Sequence, residues 1–536
     1  MKKQNIIQPL RHHLKPLALA ACAVVGLATP ASAVDWTETK FKATTPVAND
    51  KLGIDGLGAL DISGNIGIVG GWAAPNPAAN AGKAYLFDVT TGSQTVALVP
   101  TGGVPASAMF GMGVAIEGNL AVVTARTPGK AYLFDVSTGN PRGVITGGTP
   151  GNFGTCAALS GNKLVVGGED KKIYVYDVTD PDNPFQLGAG PITTAGNPGG
   201  FGLRQVALEG NIMVAGAYAA GVNYKGKAWL YDLSTLTAGA GTATETELNP
   251  SYNVTGAEQL GYGHSVDIKN GRVIVGALWG GDSVVNGPLW NAGMAFLFDV
   301  STPSSPTKLA EIVPGTRFFN QRFGTDVAIS GDTVIIGANT RYASPAVPGE
   351  AYLYDITTPG SPTQIQKMTT TGVNWSVNEF GSPVAIDGNV ALVGANLDDT
   401  TQSNSGAVYI YTGPPPATGY ATWAGANSIS LIPSEDTNND GVANGVAYFM
   451  DKTGLATNPG INSSGQVTWP NGGNILSGQY GTQFVVQTSS DLQTWTDVAS
   501  GQLDANTDAV GLVDGSLSYT LTGASPRFVR LKVTPN

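Results

Sequence analysis

Beyond residue 13 the chain has one histidine, His264, and beyond residue 22 one cysteine, Cys156. A hydroxyl–imidazole–carboxylate relay would have to be built on His264 alone, and a zinc centre needs several His or Cys ligands, a supply this sequence lacks. His264 stands in "YGHSVDI", at a position taken by Thr155 and Thr325 in two similar stretches, so a structural or channel-lining role is the better reading than a general base. Cys156 lies in an apolar run and reads as a buried, inert thiol. Carboxylates are available at Asp267 and at Asp398-Asp399, the latter pair read as part of a solvated loop. The most ligand-like spacing is "DTNNDGVAN" (436–444). It puts Asp436, Asn438 and Asp440 at positions one, three and five of an acidic calcium loop, the Val442 carbonyl at seven and Asn444 at nine. Position twelve is Ala447, where an acid is wanted. One weakly held Ca2+ and an Asx-rich turn capping the short helix 445–451 both stay open, and no other cofactor is expected.

A second set of residues carries recognition chemistry. Trp72, Tyr218, Tyr224, Trp279, Trp290, Arg317, Phe318, Tyr342 and Trp375 fall in long, mutually dissimilar segments, chiefly 71–82, 217–226, 277–293, 314–322, 338–349 and 370–379. Aromatic rings and Arg dominate binding hot spots, and flat rings also stack on sugars. Some of these side chains would pack down their own loops; two or more together would make a patch.

The elements that must hold these loops are repeats. "FGTDVAISGDTVIIGA" (323–338) returns as "FGTCAALSGNKLVVGG" from Phe153 and "FGSPVAIDGNVALVGA" from Phe380, with further copies from Phe110, Phe201 and Tyr262 and a degenerate first copy from Leu57. Each is followed by a third segment such as "KAYLFDV" (83–89, 130–136) or "EAYLYDI" (350–356), and usually by a looser fourth. The first two segments form a tight hairpin and the others extend it, giving a four-stranded antiparallel meander. Val334, Ile335 and Ile336 run consecutively, so the sheets are apolar on both faces and must be covered on both. Seven such sheets cover one another by standing face to face around a ring: an all-β, seven-bladed propeller. The seventh copy has no fourth strand of its own, and "TETKFKATTP" (37–46), similar to "TQIQKMTTTG" (363–372), is expected to supply it. Six copies end the third strand with Asp (Asp88, Asp135, Asp177, Asp232, Asp299, Asp355), placed to accept N–H bonds from the following turn. With 73 glycines and 12% charged residues, the composition suits short strands and tight turns.

Phe-Gly at the head and Gly-Ala at the foot of each hairpin resemble FG-GAP repeats, which build the propeller of integrin α-subunits and of many secreted bacterial proteins. This chain is similar to the short bacterial form, over roughly residues 37–412. The resemblance implies adhesion or protein contact without naming a ligand. In the integrin-type repeats some first-to-second strand loops carry Asp-rich calcium sites. Here those loops are turns such as "SGN", "EGN" and "DGN", too short for six to eight oxygen ligands, so no calcium is expected in the propeller.

Strand order puts the short turns on one face of the ring and the long loops on the other, and the varied face is the one expected to work. Blades two and three have short loops, so the patch is expected over blades four to seven and one. Residues 1–33 read as an export signal: Lys2, Lys3, Arg11 and Lys15, an apolar stretch at 17–28, and a small-residue cleavage site ending at Ala33. "LAAC" with Cys22 as a lipidated residue is the alternative, against which its short apolar stretch counts. The signal carries four cations and no acid, so the net charge of −11 becomes −15 without it, which disfavours nucleic acid as a partner. No other stretch is long and apolar enough to span a membrane. The propeller is expected over 34–412, a Pro-rich linker over 413–419, and a small β-sandwich-like module over 420–536 that could anchor or sort the protein. The leading reading is a secreted or surface-displayed, non-catalytic scaffold binding an extracellular protein or polysaccharide. An extracellular carbohydrate-active enzyme with carboxylates at the propeller channel, and a structural surface component, are the alternatives.

Overall fold

The computed structural model describes residues 36–413 apart from 54–57, 76–79, 149, 252–258, 282–288, 341–346, 370–378 and 399–400. Beyond them it describes 442–443, 446–447, 462, 464, 466–470, 480, 484–490, 495–499, 516–520 and 528–533. Residues 37–412 form seven four-stranded antiparallel sheets, and in six of them the strands lie side by side in chain order. The inner strands, Leu60–Ser63, Phe110–Glu117, Phe153–Ser160, Val206–Glu209, Tyr262–Lys269, Phe323–Ser330 and Val384–Asp387, pack each against the next, and the seventh packs against the first. Seven apolar clusters fill the seven junctions between blades, which is how sheets apolar on both faces are covered. Residues 37–412 therefore form a closed β-propeller.

The repeat's two glycine-containing signatures meet at each junction. In blades two, three, five and six the residues after the leading Phe or Tyr bulge out of the hydrogen-bond register. That bulge turns the ring into the junction, where Phe323 lies edge-on to Tyr352 and Tyr354 of its own third strand, as Phe153 does to Tyr174 and Tyr176. The following glycine has positive φ (Gly324 83°, Gly381 100°), and its carbonyl oxygen sits on the glycine of the preceding blade's Gly-Ala. A Cβ on Gly276 or Gly337 would overlap that oxygen. Blade two has Thr124 at this position, and its hydroxyl donates to the Gly154 carbonyl at 2.8 Å instead.

The ring closes as the sequence predicts, with one correction to its first copy. Thr37–Phe41 pairs antiparallel with Ala407–Thr412 and becomes the outer strand of blade seven. The first copy, however, is headed by Leu52-Gly53 and not by Leu57. Leu52 makes a parallel bridge to Gly406, as Phe110 does to Gly82 and Phe323 to Gly293 in other junctions. Gly53 has φ 67° and donates to the Gly70 carbonyl at 2.9 Å. An insertion between Gly53 and the inner strand hid this alignment. Leu52 is smaller than the Phe it replaces, and Phe41 supplies the missing ring, stacked on Phe87 with centroids 4.4 Å apart. Asp398 is also corrected: it is buried, not part of a solvated loop, and is bound by the Lys40 ammonium and by the Tyr409 hydroxyl at 2.9 Å. A carboxylate so placed ties the closing strand to its neighbours.

All six Asp residues that end third strands accept an N–H from the next turn, from Thr90 to Asp88 through Thr357 to Asp355. The Ser137 hydroxyl, followed by Thr138, holds the Asp135 carboxyl down at about 2. In the C-terminal module, Gln466–Pro470 pairs with Ser516–Thr520, and Phe484–Ser489 lies between Thr496–Asp497 and Phe528–Val533. The two sheets share one core, built on Trp469, Val486, Leu517 and Leu531. Val442 and Ala447 pack into this core as well. Asp436, Asn438, Asp440 and Asn444, the other positions read above as a candidate calcium loop, lie outside the described residues.

Candidate functional site

Two surfaces could act, the central channel and the long-loop face. The channel encloses about 290 Å³ and is lined by the inner strands of all seven blades. Its side chains form a one-directional ring of hydrogen bonds in which a group on one blade accepts a backbone N–H from the next. Asp61 accepts from Ile116, Ser63 from Gly118, Glu117 from Gly161, and Ser160 from Gly210. Glu209 accepts from Asn270, Asp267 from Ile329, Ser330 from Gly388, and Asp387 from Gly64. Every junction carries at least one such bond, including the closing one. Residue-by-residue reading of the sequence misses these acceptors. The signal was present in the turns themselves, since the residue before the turn is Ser, Glu, Ser, Glu, Ser or Asp in six blades. Blade five has Lys269 there, and its junction is bonded by Asp267 instead.

Burial in the channel pushes the Asp61 and Asp267 carboxyls up to about 7, although each also accepts an N–H from its own strand and one from the next blade, which pull the other way. In the unfolded chain both release their protons near pH 4. Between about pH 4 and 7 the folded state therefore holds more protons, so the stability these groups contribute is complete at the acid end, declines through that range and is gone above it. The change in Tm between pH 5.5 and 8 in the Asp61→Asn/Asp267→Asn variant is expected to differ from the parent's by the loss of this alkaline destabilisation. An unchanged pH difference would show that the two groups titrate normally.

On the long-loop face the structure brings together three of the predicted residues. Tyr218 follows the second strand of blade four (Ile212–Ala217), and Tyr224 lies further along the same loop. Trp279 follows the second strand of blade five (Arg272–Ala277). Trp279 is edge-on to both tyrosines, with centroids 5.9 and 6.0 Å apart, and Tyr218 is edge-on to His264 at 5.5 Å. The Arg204 guanidinium lies over the Tyr218 ring at 5.4 Å. His264 is buried between blades with its Nδ1 2.9 Å from the Thr325 carbonyl oxygen. Burial first, then Arg204 and Arg322, hold this imidazole well below its ordinary pKa, so it is neutral.

The loop tip that completes this corner is strained and exposed. Asn223 and Tyr224 both have left-handed backbone, φ 58° and 53°, an arrangement non-glycine residues adopt at a cost. Gly261 and Tyr262 of the next blade hold it by donating N–H bonds to the Tyr224 and Lys225 carbonyls at 2.9 and 3.0 Å. Val222 is 77% and Tyr224 51% exposed. Trp290, Arg317 and Phe318 are positioned elsewhere, at the junction of blades five and six. There the Trp290 carbonyl accepts the Asn320 N–H at 2.9 Å and Arg317 donates to the Gly293 carbonyl at 3.1 Å. Trp72 is half-buried beside blade one. Tyr342 and Trp375 lie outside the described residues.

A closed ring of four-stranded sheets with one elaborated face is a propeller-type binding scaffold. Residues 307–354 and 363–411 match the FG-GAP repeat family, so the chain carries FG-GAP repeats at these two positions. No curated protein matches the chain. Among solved structures, a chain of "Crystal Structure of Mitotic Checkpoint Complex" is similar at a TM-score of 0.43 and 12% identity, over 74% of this chain and 98% of that one. Among the described residues no helix is long and apolar enough to cross a membrane.

Proposed function

We propose that this protein is a non-catalytic binding scaffold whose working surface is the corner of blades four and five on the long-loop face. Exported across a membrane by residues 1–33, it would meet an extracellular protein or polysaccharide there. The observation that carries the reading is the Tyr218–Trp279–Tyr224 cluster on a loop whose tip exposes Val222 and Tyr224. Trp, Tyr and Arg in one place are the composition of a binding hot spot. The channel favours this reading over an enzyme. Asp61 and Asp267 are there, but their oxygens are engaged by backbone N–H groups that join the blades.

The test is quantitative binding of the full-length chain to arrays of extracellular proteins and of polysaccharides, repeated with Trp279→Ala and Tyr224→Ala. A hot-spot ring is worth about 2 kcal/mol or more, so affinity for the best ligand is expected to fall roughly 30-fold or more in Trp279→Ala while the thermal melt stays cooperative. Binding that survives both substitutions in a folded protein would remove the corner as the site.

A further inference from the structure

The C-terminal module presents an open sheet edge that carries unmatched positive charge. Among the described residues, Phe528–Val533 pairs with Phe484–Ser489 on one side and with no strand on the other. Its exposure alternates. Val529, Leu531 and Val533 turn to the module's core, while Phe528, Arg530 and Lys532 face outward, Phe528 at 40% exposure. Behind Arg530 a row of polar side chains crosses the sheet. Asp497, Gln487 and Arg530 stand in register on three neighbouring strands. The Gln487 amide donates to the Asp497 carboxylate at 2.6 Å and accepts from the Arg530 Nε at 2.9 Å, and the Arg530 guanidinium lies over the Trp495 ring at 4.0 Å. Among the described residues Arg530 has no ion pair, and Lys532 has neither an ion pair nor a side-chain hydrogen bond. The row thus runs acid, amide, guanidinium, and stops at the open edge on a cation.

We propose that this edge takes an extended acidic segment of a partner protein as an added strand. A sheet edge offers N–H and C=O groups at the strand repeat, which another extended polypeptide matches group for group and a glycan does not. Outward side chains along such an edge recur about every 6.8 Å, so an incoming strand meets Lys532, Arg530 and Phe528 with every second residue. Pairing in this sheet is antiparallel. An antiparallel partner, read from its N-terminus, lies opposite Lys532 first, then Arg530, then Phe528. Opposite charges directly across from one another stabilise a strand pair, and a guanidinium matches a carboxylate in shape as well as charge. The complementary sequence is therefore acid–x–acid–x–aromatic in that direction, with β-branched residues at x on the side of Val529, Leu531 and Val533. A second copy of the same edge is disfavoured, because it brings cation against cation. This edge and the corner of blades four and five share no residue, so either reading can fail without the other.

The experiment uses the full-length protein and labelled synthetic peptides carrying Glu-Val-Glu-Val-Phe, its amide form Gln-Val-Gln-Val-Phe and the reversed order Phe-Val-Glu-Val-Glu. Polygalacturonate serves as an acidic polymer without a peptide backbone. The forward acidic peptide is expected to bind about tenfold more tightly than the amide form, more tightly than the reversed one, and more weakly as salt rises. Methylating the one alternating set of its backbone nitrogens that faces the edge keeps the charge, removes the strand hydrogen bonds and should abolish binding. Lys532→Gln should cut the acid preference about threefold. Arg530→Gln should cut it further and Arg530→Lys should restore part of it, with melting curves confirming that each variant is folded. Equal binding of acidic and amide peptides, or an acid preference unmoved by both Lys532→Gln and Arg530→Gln, overturns the proposal. Equal binding of the two orders, or binding indifferent to methylation of either set of nitrogens, overturns the added antiparallel strand. Tighter binding of polygalacturonate than of every peptide overturns the protein partner, and an absence of binding to any acidic peptide overturns the proposal as a whole.

Discussion

Phe41→Ala is expected to lower the Tm more than removal of a ring of similar burial elsewhere, and to broaden the transition. Phe41 is fully buried, and truncating a core Phe costs about 3–5 kcal/mol. The location adds to the size of the effect. The closing strand is not continuous with the rest of the seventh blade: Thr37–Phe41 is held by pairing along Ala407–Thr412, and the seam is joined further by the Leu52–Gly406 bridge, by the Gly64 N–H on Asp387 and by the cluster that Phe41 shares with Leu52, Phe87 and Ile410. Loss of the ring leaves Leu52 alone in a space that Phe or Tyr fills at the six other junctions. The comparison is Phe323→Ala, which empties an internal junction whose blades remain tethered by the chain. Its melt should shift but stay sharp. Removing residues 34–47 altogether should exceed both effects. Scanning calorimetry of the three variants decides the matter, and a Phe41→Ala melt indistinguishable from the parent's would mean that the ring is not sealed there.

Gly337→Ala is expected to destabilise the fold through one added methyl group. The new Cβ would overlap the Gly381 carbonyl oxygen, a backbone atom that cannot rotate away, and Gly381 is itself fixed at φ 100°. Overpacking of this kind costs about 3 kcal/mol, and more where backbone must move on both sides. Gly331→Ala is the internal control. It has φ 56° but nothing within reach of its Cβ, so only the smaller conformational cost remains. Chemical denaturation of the two variants should place Gly337→Ala well below Gly331→Ala. Equal midpoints would show that blades six and seven can move apart without penalty. Blade two shows what accommodation requires: Thr124 is tolerated because its hydroxyl donates to the Gly154 carbonyl and accepts the Gly113 N–H at 2.8 Å. Alanine at Gly337 has no such group.

Much of this architecture is legible in the residues because local chemistry repeats. A hairpin needs a turn glycine, a doubly covered sheet needs consecutive apolar residues, and the same phrase written seven times admits few arrangements. The ring, its closing strand and the Asp-capped turns all follow from that. Where the repeat is imperfect it is not legible: an insertion separates Leu52-Gly53 from its inner strand, and the parallel bridge to Gly406 together with the Gly53 bond to Gly70 shows that it takes the Phe-Gly place. Asp398 looks like a loop residue from its neighbours because its partner, Lys40, is 358 positions away in the chain, on the strand that closes the same blade.

The four-stranded unit, the number of copies and the loops that vary are written locally, since each depends on neighbours along the chain. Which of those loop residues meet depends on how the blades pack. Tyr218, Tyr224 and Trp279 meet because blade five packs on blade four and its backbone N–H groups hold the Tyr224 loop tip, whereas Trp290 and Arg317, no less suited by type, are held at another junction. The channel's ring of acceptors has the same origin. A serine or glutamate before a turn has no evident partner until the next blade, some fifty residues on, brings its glycine N–H alongside.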